Sequence, residues 1–335
     1  KENDVMTRHR YALVLIVGLF SVMFGGRGTP LAADKINYRL KWLFNTSVVG
    51  DLYADVQGDF ADAGLAVTVK SGGPERDAIK ELELGQAQFG VASADQVIRA
   101  LDKGAPVVVI AQLFQVNPLQ WIYRQRAPPI NDLSDLKGRT IGVTFGGNDE
   151  TIMRTLLAKA GLDTSEVKLF NVRYDYTPFY RGRVDIWPVY RNTQGIVISR
   201  KMQADNDPVR FFIPAGFGVK FVANSVVTSQ KMLQGEPETV RRFIRALLGG
   251  WEKALDPANA GKALDMLQQY DRDTPRELLE EQLAITRSLV KPNPAMAIGT
   301  IDTAAWKQTE AIMRDQKQIA QPVRVETALH PAFAF

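Results

Sequence analysis

The chain contains no cysteine and almost no histidine. Its 335 residues include zero cysteines and two histidines, His9 and His330. Without cysteine, disulfides, thiolate metal sites, iron–sulfur clusters and a cysteine nucleophile are excluded. His9 lies in a segment expected to be removed, which leaves His330 as the one histidine of the mature chain. A Ser-His-Asp triad would therefore depend on that residue alone, and a multi-histidine metal site is excluded. An enzyme of this composition would depend on carboxylates, lysine or a cofactor, and we predict instead no catalytic residue, no metal and no cofactor.

Long blocks of like charge are also missing. The sequence has 41 lysine and arginine residues against 37 aspartate and glutamate residues, a net charge of +4. Basic residues of the segment 1–33 contribute part of this charge, and the rest is spread along the chain. This distribution argues against a nucleic-acid partner. With 45% hydrophobic and 23% charged residues, the composition is that of a globular protein of about two domains.

The N-terminal apolar run is too short to span a bilayer comfortably. Met6 is followed by a basic stretch, by the apolar run 12–24 and then by small residues. This order is typical of a secretory signal peptide, and a retained membrane anchor is the alternative. We predict that residues 1–33, of which 1–5 lie upstream of the initiator, are removed by cleavage near Ala33. The mature protein is then expected in the periplasm.

Short apolar runs alternate with amphipathic segments along the rest of the chain. Strands separated by helices predict α/β sheets with right-handed crossovers. In such sheets ligands bind beyond the carboxyl ends of the strands. The strands predicted in the first part are 36–42, 66–69, 88–91 and 107–111, with helices at about 50–63, 75–84 and 94–102.

Proline interrupts this pattern near residues 118–129, where we predict a crossing into a second lobe. A second series of strands and helices follows, and the apolar segment 219–227 predicts a strand that leads back. Two α/β lobes joined by two crossings describe a clamshell with the ligand between its lobes. We predict that residues 34–117 and 225–335 form the first lobe and residues 118–224 the second. Helices are predicted at 237–254, 257–270, 275–290 and 302–320.

One segment of the second lobe combines a strand, a glycine turn and a helix start. Gly146 and Gly147 follow the apolar strand that begins at Thr140, and Asn148 opens the next helix. Because glycine has no Cβ, the backbone can approach a bound molecule, and the first helical amides attract anions and polar rings. We predict a ligand cradle here, with an ordinary turn capped by Asn148 or Asp149 as the alternative. A phosphate-binding P-loop is excluded because the segment lacks its lysine.

Six motifs occur in an order and spacing typical of one protein family. They are Trp42-Leu-Phe-Asn45, Phe89-Gly-Val-Ala-Ser-Ala-Asp-Gln96, Asp135-Leu-Lys-Gly-Arg-Thr-Ile-Gly-Val143, Gly146-Gly-Asn148, Arg183-Val-Asp-Ile-Trp187 and Pro237-Glu-Thr-Val-Arg-Arg-Phe243. Together they resemble the periplasmic solute-binding proteins of ABC importers, in the branch that serves thiamine pyrimidine precursors, sulfonates, nitrate and similar solutes. The resemblance covers nearly the whole mature chain. It implies a type II periplasmic-binding-protein clamshell, each lobe a mostly parallel sheet flanked by helices, with two crossover segments. It also implies a membrane permease and its ATPase as partners, and we expect the chain to be a monomer.

Trp42 and Asn45 lie at the end of the first predicted strand. Pyrimidine-binding members of the family carry a Trp-x-Pro-Asn signature there, which suits an indole stacked on a planar ring and an amide bonded to its edge. In this chain Phe44 replaces the proline, and Val48 replaces a histidine of the pyrimidine binders. These departures weaken the case for a thiamine pyrimidine. A core tryptophan and a turn asparagine are the alternatives.

A second group of candidates follows a predicted strand of the second lobe. Trp187, Tyr190, Arg191 and Asn192 come just beyond that strand. We predict that Trp187 forms the second face of an aromatic sandwich with Trp42. The family carries a Tyr-Asn-Glu element in this region, but this chain lacks the glutamate, and Arg191 makes an anionic ligand plausible. A solvated arginine at a helix start is the alternative.

Further candidates lie near other strand ends and the return crossing. Ser93 follows a strand and opens a helix, so its hydroxyl can cap the helix or bind ligand. Gln112 and Gln115 end the next strand, with exposed loop positions as the alternative. Phe217 lies near the return crossing, where we expect it to close over the ligand or to act at a hinge.

These predictions favour a non-catalytic receptor that captures a small planar heterocyclic or anionic solute and delivers it to a permease. Stacking would supply much of the affinity, and polar side chains and turn amides the orientation. The expected ligand is a thiamine-pyrimidine-like or other aromatic heterocycle, and the alternative is a sulfonate, nitrate or an aromatic carboxylate. A pyrimidine synthase of the same fold uses a cysteine-rich loop and an active-site histidine, which are missing here. A regulator's effector domain fits poorly with an export signal.

Overall fold

The computed structural model describes residues 33–73, 76–172 and 175–331. The predicted signal peptide therefore lies outside the described residues, apart from Ala33. Within the described part, no helix is long and apolar enough to cross a membrane. These residues form two five-stranded sheets with helices packed against them.

Five strands form the first sheet. They are β1 (Asp34–Arg39), β2 (Leu65–Lys70), β3 (Phe89–Ala92), β4 (Val107–Gln112) and β10 (Ser225–Ser229). Their order is β2-β1-β3-β10-β4. The first three strands pair in parallel, whereas β10 runs antiparallel between β3 and β4. Every residue of β4 is buried, as expected for an apolar strand that is covered on both faces.

The second sheet has the same mixed architecture. Its strands are β5 (Leu119–Arg124), β6 (Thr140–Val143), β7 (Lys168–Asn171), β8 (Ile186–Tyr190) and β9 (Val209–Phe212). Their order is β7-β6-β8-β5-β9. β6 is parallel to β7 and β8, and β5 is antiparallel to β8 and β9.

Twelve α-helices surround the sheets in the described part of the chain. They are α1 (Val49–Val56), α2 (Asp59–Asp62), α3 (Ala78–Glu83), α4 (Ala94–Asp102), α5 (Asn148–Lys159), α6 (Thr177–Tyr180), α7 (Gln194–Ala204), α8 (Gln230–Gly235), α9 (Pro237–Leu255), α10 (Ala260–Tyr270), α11 (Arg276–Val290) and α12 (Thr303–Asp315). We call the first sheet with α1–α4 and α8–α12 the first lobe, and the second sheet with α5–α7 the second lobe. α9 packs on α1 and α2, so the C-terminal helices complete the first lobe. The exact lobe boundaries stay a prediction.

The carboxyl ends of the parallel strands lie at the edges where the lobes meet. β4 ends at Gln112 and β5 begins at Leu119. The connection between them spans seven residue steps and reaches at most about 25 Å, so these two strand ends lie on neighbouring parts of the two sheets. Parallel strands of each sheet end at the same edge, which is where ligands bind in α/β folds.

One hydrophobic cluster extends across both lobes. It contains Val109 of β4, Ile141 of β6 and Trp306 of α12. Just after α12, Gln318 donates a side-chain hydrogen bond to Thr151 of α5. The two lobes therefore share buried apolar surface on this side of the molecule.

The first-lobe core contains a buried carboxyl group. Asp51 of α1 is 1% exposed, and it accepts a hydrogen bond of 2.5 Å from the hydroxyl of Tyr38 in β1. Its Oδ2 atom has no partner among the described residues. Burial raises the pKa of Asp51 to about 7, although the bond from Tyr38 acts in the opposite direction. This carboxyl therefore titrates close to neutral pH.

Two sequence predictions about the crossings are wrong. Residues 119–124 are a fully buried strand inside the second sheet rather than part of a crossing at 118–129. The returning strand begins at Ser225, whereas 219–224 is irregular. Proline flanks β5 on both sides, and prolines in this arrangement are equally typical of one continuous connection.

Candidate functional site

A cavity of about 220 Å³ lies between the two lobes. One wall belongs to the first lobe, where a loop after β1, the connection between α10 and α11, and α11 itself contribute. The opposite wall belongs to the second lobe and is built around the start of α7. The lining residues are Asn45, Asp271, Thr274 and Gln282 from the first lobe and Tyr176, Thr193, Gln194 and Val197 from the second.

The first-lobe wall is held in place by short polar contacts. Asn45 follows β1 in an extended conformation, and its Oδ1 accepts a hydrogen bond of 2.8 Å from the Ser47 amide. The Nδ2 group of Asn45 has no hydrogen-bond partner among the described residues. Gln282 is 4% exposed, and its Oε1 accepts a bond of 2.8 Å from the hydroxyl of Thr46. Both amides are thus oriented before any ligand arrives.

The second-lobe wall is the N-terminal turn of α7. Thr193 precedes this helix without capping it through its side chain, and the first turn carries no acidic residue. The Oε1 atom of Gln194 accepts bonds from the Thr193 hydroxyl at 2.7 Å and from the Tyr190 amide at 3.3 Å. Uncapped helical amides are good donors to an oxygen or ring nitrogen of a ligand.

Asn192 joins the two lobes beside the cavity. Its side chain is fully buried, and its Nδ2 donates to the hydroxyls of Ser47 and Thr286 at 2.9 Å each. Its Oδ1 atom has no partner in the described part of the chain. Asn192 was predicted to orient a ligand, but its amide nitrogen is occupied by these contacts between the lobes.

The described residues that line the cavity include one charged side chain, and that side chain is acidic. Among these residues, Asp271 is the one titratable group apart from the Tyr176 phenol, and none is a lysine or an arginine. The guanidinium of Arg191, expected from the sequence to attract an anion, lies 5.2 Å from the ring centre of Phe211 instead. The described part of the walls therefore offers mainly neutral hydrogen-bonding groups to a ligand.

The backbone amides of the glycine turn in the second lobe all donate hydrogen bonds to groups of the same chain. The Thr144 amide donates to Asp149 Oδ2 and the Gly146 amide to Glu150 Oε2, both at 2.7 Å. The Phe145 amide donates to the side chain of Asn171 at 3.2 Å. The Gly147 amide closes the turn on the Thr144 carbonyl at 2.7 Å. The amides of Gly146 and Gly147 are thus bonded within the turn, and their role in orienting a ligand stays a prediction.

Both glycines are explained by this local arrangement. Gly146 has a φ of +80°, which the third position of a type II turn requires. A Cβ on Gly147 would lie 2.5 Å from Asp149 Oδ1 and 2.9 Å from the Thr144 carbonyl oxygen. The absence of a Cβ at Gly147 leaves space beside the turn, and the carboxylate of Asp149 occupies that space.

Trp187 is a core residue, contrary to the prediction of an aromatic sandwich. It is 1% exposed and packs in a cluster that includes Ile122 and Phe179. Its ring also meets Tyr176 edge to face at 6.1 Å. The physical reason is register: Trp187 is the second residue of β8, not a residue beyond the strand, and its side chain turns into the sheet's own core.

Three other candidates have structural roles. The Ser93 hydroxyl donates to Asp95 Oδ1 at 2.5 Å, and the Ser93 amide donates to Gln96 Oε1 at 3.1 Å in the capping box that begins α4. Gln115 donates through Nε2 to the carbonyls of Gln112 and Thr300. Phe217 packs on Phe212 with ring centres 5.1 Å apart.

The remaining candidates keep their status as predictions. Trp42 and Asn148 are half-buried, and neither lines the cavity. Tyr190 is half-buried at the end of β8 and packs against the cluster shared by the lobes. Of all the residues predicted to bind ligand, Asn45 is the one that lines the cavity.

Sequence reasoning missed seven of the lining residues. Thr193 and Gln194 directly follow the candidate Asn192 in the sequence, in the region that the strand-end rule marks. Asp271 and Thr274 lie between two helices of the first lobe, where that rule gives no signal. The missed residues are Tyr176, Thr193, Gln194, Val197, Asp271, Thr274 and Gln282.

Known proteins share this architecture and parts of this sequence. The riboflavin-binding protein RibY of Chloroflexus aurantiacus is 26% identical over 262 residues, which cover 73% of this chain and 70% of the relative. The formylaminopyrimidine-binding protein of Halalkalibacterium halodurans is 25% identical over 324 residues, which cover 94% and 96%. The solved structure of the periplasmic aliphatic sulphonate binding protein SsuA from Escherichia coli matches with a TM-score of 0.70 at 14% identity, over 89% of this chain and 92% of that one. These similarities confirm the two-lobed fold and the predicted branch of solute-binding proteins.

The family match covers the second-lobe wall of the cavity and every strand of the two sheets except β1. The family described as NMT1/THI5 like matches residues 45–260, more than half of the sequence, starting at the cavity residue Asn45. The matched segment includes α7, whose first turn forms the second-lobe wall. The chain therefore belongs to the NMT1/THI5-like family.

Proposed function

We propose that this protein is the solute-binding component of an ABC-type importer and that it binds a small neutral heterocycle of the substituted-pyrimidine type. The observation that carries the proposal is the composition of the cavity walls. They offer amide and hydroxyl groups from Asn45, Thr193, Gln194 and Gln282, and an aromatic ring from Tyr176. Such groups match the donors and acceptors at the edge of a pyrimidine ring.

The size of the cavity supports a small ligand. Its volume of about 220 Å³ lies below the range of roughly 300–1,000 Å³ typical of sites for drug-sized ligands. A single-ring heterocycle suits this volume better than a three-ring flavin. Among the relatives, the formylaminopyrimidine-binding protein is the one that the match covers almost completely.

The charge of the walls supports a neutral ligand over a sulfonate, nitrate or carboxylate. An anion bound in a closed cleft needs cationic or unpaired N–H donors to replace water. The lining residues that the structure describes include no lysine or arginine, and Asp271 would repel an anion. The sulfonate-binding neighbour shares the fold, and its ligand class is not carried over.

The proposed mode of action is capture and delivery without chemistry. The chain has no cysteine for the loop of a pyrimidine synthase. Among the described residues, no group of histidine, aspartate and glutamate side chains is arranged to hold a metal ion. We propose a monomer exported to the periplasm that closes over its solute and presents it to a permease with its ATPase.

Calorimetry on the purified chain tests the ligand class. We expect a formylaminopyrimidine or a hydroxymethylpyrimidine to bind in the micromolar range or tighter, and riboflavin, ethanesulfonate and nitrate to bind at least a hundredfold more weakly. Gln194→Ala and Asn45→Ala should each lower the affinity about tenfold, because each removes a hydrogen bond that stays buried in the complex. Gln203→Ala is the matched control, since Gln203 lies exposed on the same helix α7. Tighter binding of the sulfonate than of any pyrimidine would overturn the proposal.

A further inference from the structure

The glycine turn of the second lobe places two of the chain's own carboxylates where an anion would bind. Successive backbone N–H groups around a glycine turn form a concave anion site in many proteins. Here the amides of Thr144 and Gly146 each donate at 2.7 Å to a carboxylate, from Asp149 and Glu150 respectively. The turn therefore has the geometry of an anion site, but its amides are bonded to the side-chain carboxylates of Asp149 and Glu150.

Both carboxylates are fixed by further contacts. Glu150 Oε1 accepts from Arg154 on the next turn of α5, at 2.8 Å from Nε and 2.7 Å from the terminal nitrogen. The Glu150 side chain is 17% exposed. Asp149 is 5% exposed, and burial raises its pKa while the bond from the Thr144 amide acts in the opposite direction. Neither side chain can leave the turn without breaking contacts that hold α5.

The turn lies on the same edge as the cavity. β6 ends immediately before the turn, and β8 ends immediately before the α7 wall of the cavity. These two strands are parallel neighbours in the second sheet, so their carboxyl ends lie side by side. Phe145, inside the turn, is 54% exposed, so the turn is open to solutes that approach this edge.

We propose that Asp149 and Glu150 are specificity-determining residues that exclude anionic solutes from the second-lobe half of the cleft. An anion there finds the N–H donors of the turn already bonded and meets two carboxylates at close range. A neutral heterocycle meets no such repulsion and binds at the α7 wall. This inference rests on the proposed function, since it explains how a fold that also serves sulfonates is restricted to uncharged ligands.

The experiment compares anion binding by the wild type and by Glu150→Ala, with ethanesulfonate and inorganic sulfate as probes. In the variant the Gly146 amide and the Arg154 guanidinium are both released from Glu150. We expect at least a tenfold gain in affinity for both probes, detected by calorimetry at low ionic strength, and an affinity for the pyrimidine within threefold of the wild type. Glu150→Gln keeps an acceptor for the amide but removes the charge, and a smaller gain is expected.

Glu238→Ala is the matched control, because Glu238 also lies in the first turn of a helix but on α9 of the first lobe. It should gain no anion affinity beyond the wild type. A folded Glu150→Ala or Glu150→Gln variant without any gain would overturn the inference, as would a wild type that binds sulfonate as tightly as the variants. A wild type that binds no pyrimidine would instead count against the proposed function, while the anion gain of the variants is measured separately.

Discussion

Asn192 of the second lobe donates hydrogen bonds of 2.9 Å to both Ser47 and Thr286 of the first lobe. All three side chains are almost completely buried. A polar network of this kind is stable only while its partners remain together, because a separated buried amide or hydroxyl must be rehydrated. The network therefore favours the arrangement in which the lobes lie close together beside the cavity.

Replacing Asn192 by alanine should favour separation of the lobes. Loss of two buried hydrogen bonds costs about 1–3 kcal/mol, which corresponds to a roughly 5- to 150-fold weaker affinity if the closed arrangement binds the ligand. We expect a larger radius of gyration in small-angle X-ray scattering for the ligand-free variant and a weaker dissociation constant. Asn131→Ala, at an exposed position, is the control. Unchanged scattering and affinity in Asn192→Ala would contradict the closing role.

Trp187 and Trp42 should differ in their effects on stability. Trp187→Ala leaves a cavity in the second-lobe core and should lower the free energy of unfolding by about 3–5 kcal/mol. Trp42 is half-buried, so Trp42→Ala should cost about 1 kcal/mol or less. Urea denaturation at equilibrium measures both values. Equal losses would show that the assignment of Trp187 to the core, and of Trp42 to a half-buried position, is mistaken.

Gly147 should not tolerate a side chain. Gly147→Ala forces its Cβ against the Asp149 carboxylate and the Thr144 carbonyl, and we expect a loss of about 1–3 kcal/mol in the free energy of unfolding. Gly249→Ala is the control inside α9, where an added Cβ meets no atom within 4 Å. That change should stabilise the protein by about 0.5–1 kcal/mol, since alanine favours helix. Thermal and urea unfolding measure whether each variant is less or more stable than the wild type. A Gly147→Ala variant as stable as the wild type would contradict the close packing around Gly147.

Asp51 should make stability depend on pH. The folded chain holds the Asp51 proton up to about pH 7, whereas the ordinary value for release is 3.8. The folded state therefore binds more protons between these values, and the free energy of unfolding falls as pH rises through this window. Asp51→Asn abolishes this contribution and keeps an acceptor for Tyr38. Relative to the wild type, the variant should gain on the order of 3 kcal/mol between pH 5 and pH 8.

The control for Asp51 is Asp265→Asn, at a largely exposed carboxylate on α10. Its stability relative to the wild type should change little over the same pH range. Urea unfolding at several pH values separates the two variants. If Asp51→Asn and the wild type lost stability in parallel as pH rises, the buried carboxyl would not titrate in that window.

The helices and strands with strong periodicity were predictable from the sequence, and the helix Ala94–Asp102 was predicted with its observed bounds. Strand β5 was not, because flanking prolines also mark loops and an apolar run of six residues has no unambiguous period. For the site, the strand-end rule found Asn45 and the neighbourhood of Thr193. It could not find Asp271, Thr274 or Gln282, since their position depends on how C-terminal helices fold back over the first lobe.

The sequence by itself determined the α/β alternation, the export signal as an expectation, the absence of cysteine chemistry and the family resemblance. These follow from composition and local periodicity, which need no long-range contacts. The tertiary structure decided which side chains face the cavity. Trp187 is buried because it lies within strand β8 rather than beyond it. Asn192 donates its side-chain hydrogen bonds to the other lobe. The carboxylates of Asp149 and Glu150 accept hydrogen bonds from the amides of the glycine turn. Each outcome depends on competition among partners in three dimensions, which a linear pattern does not record.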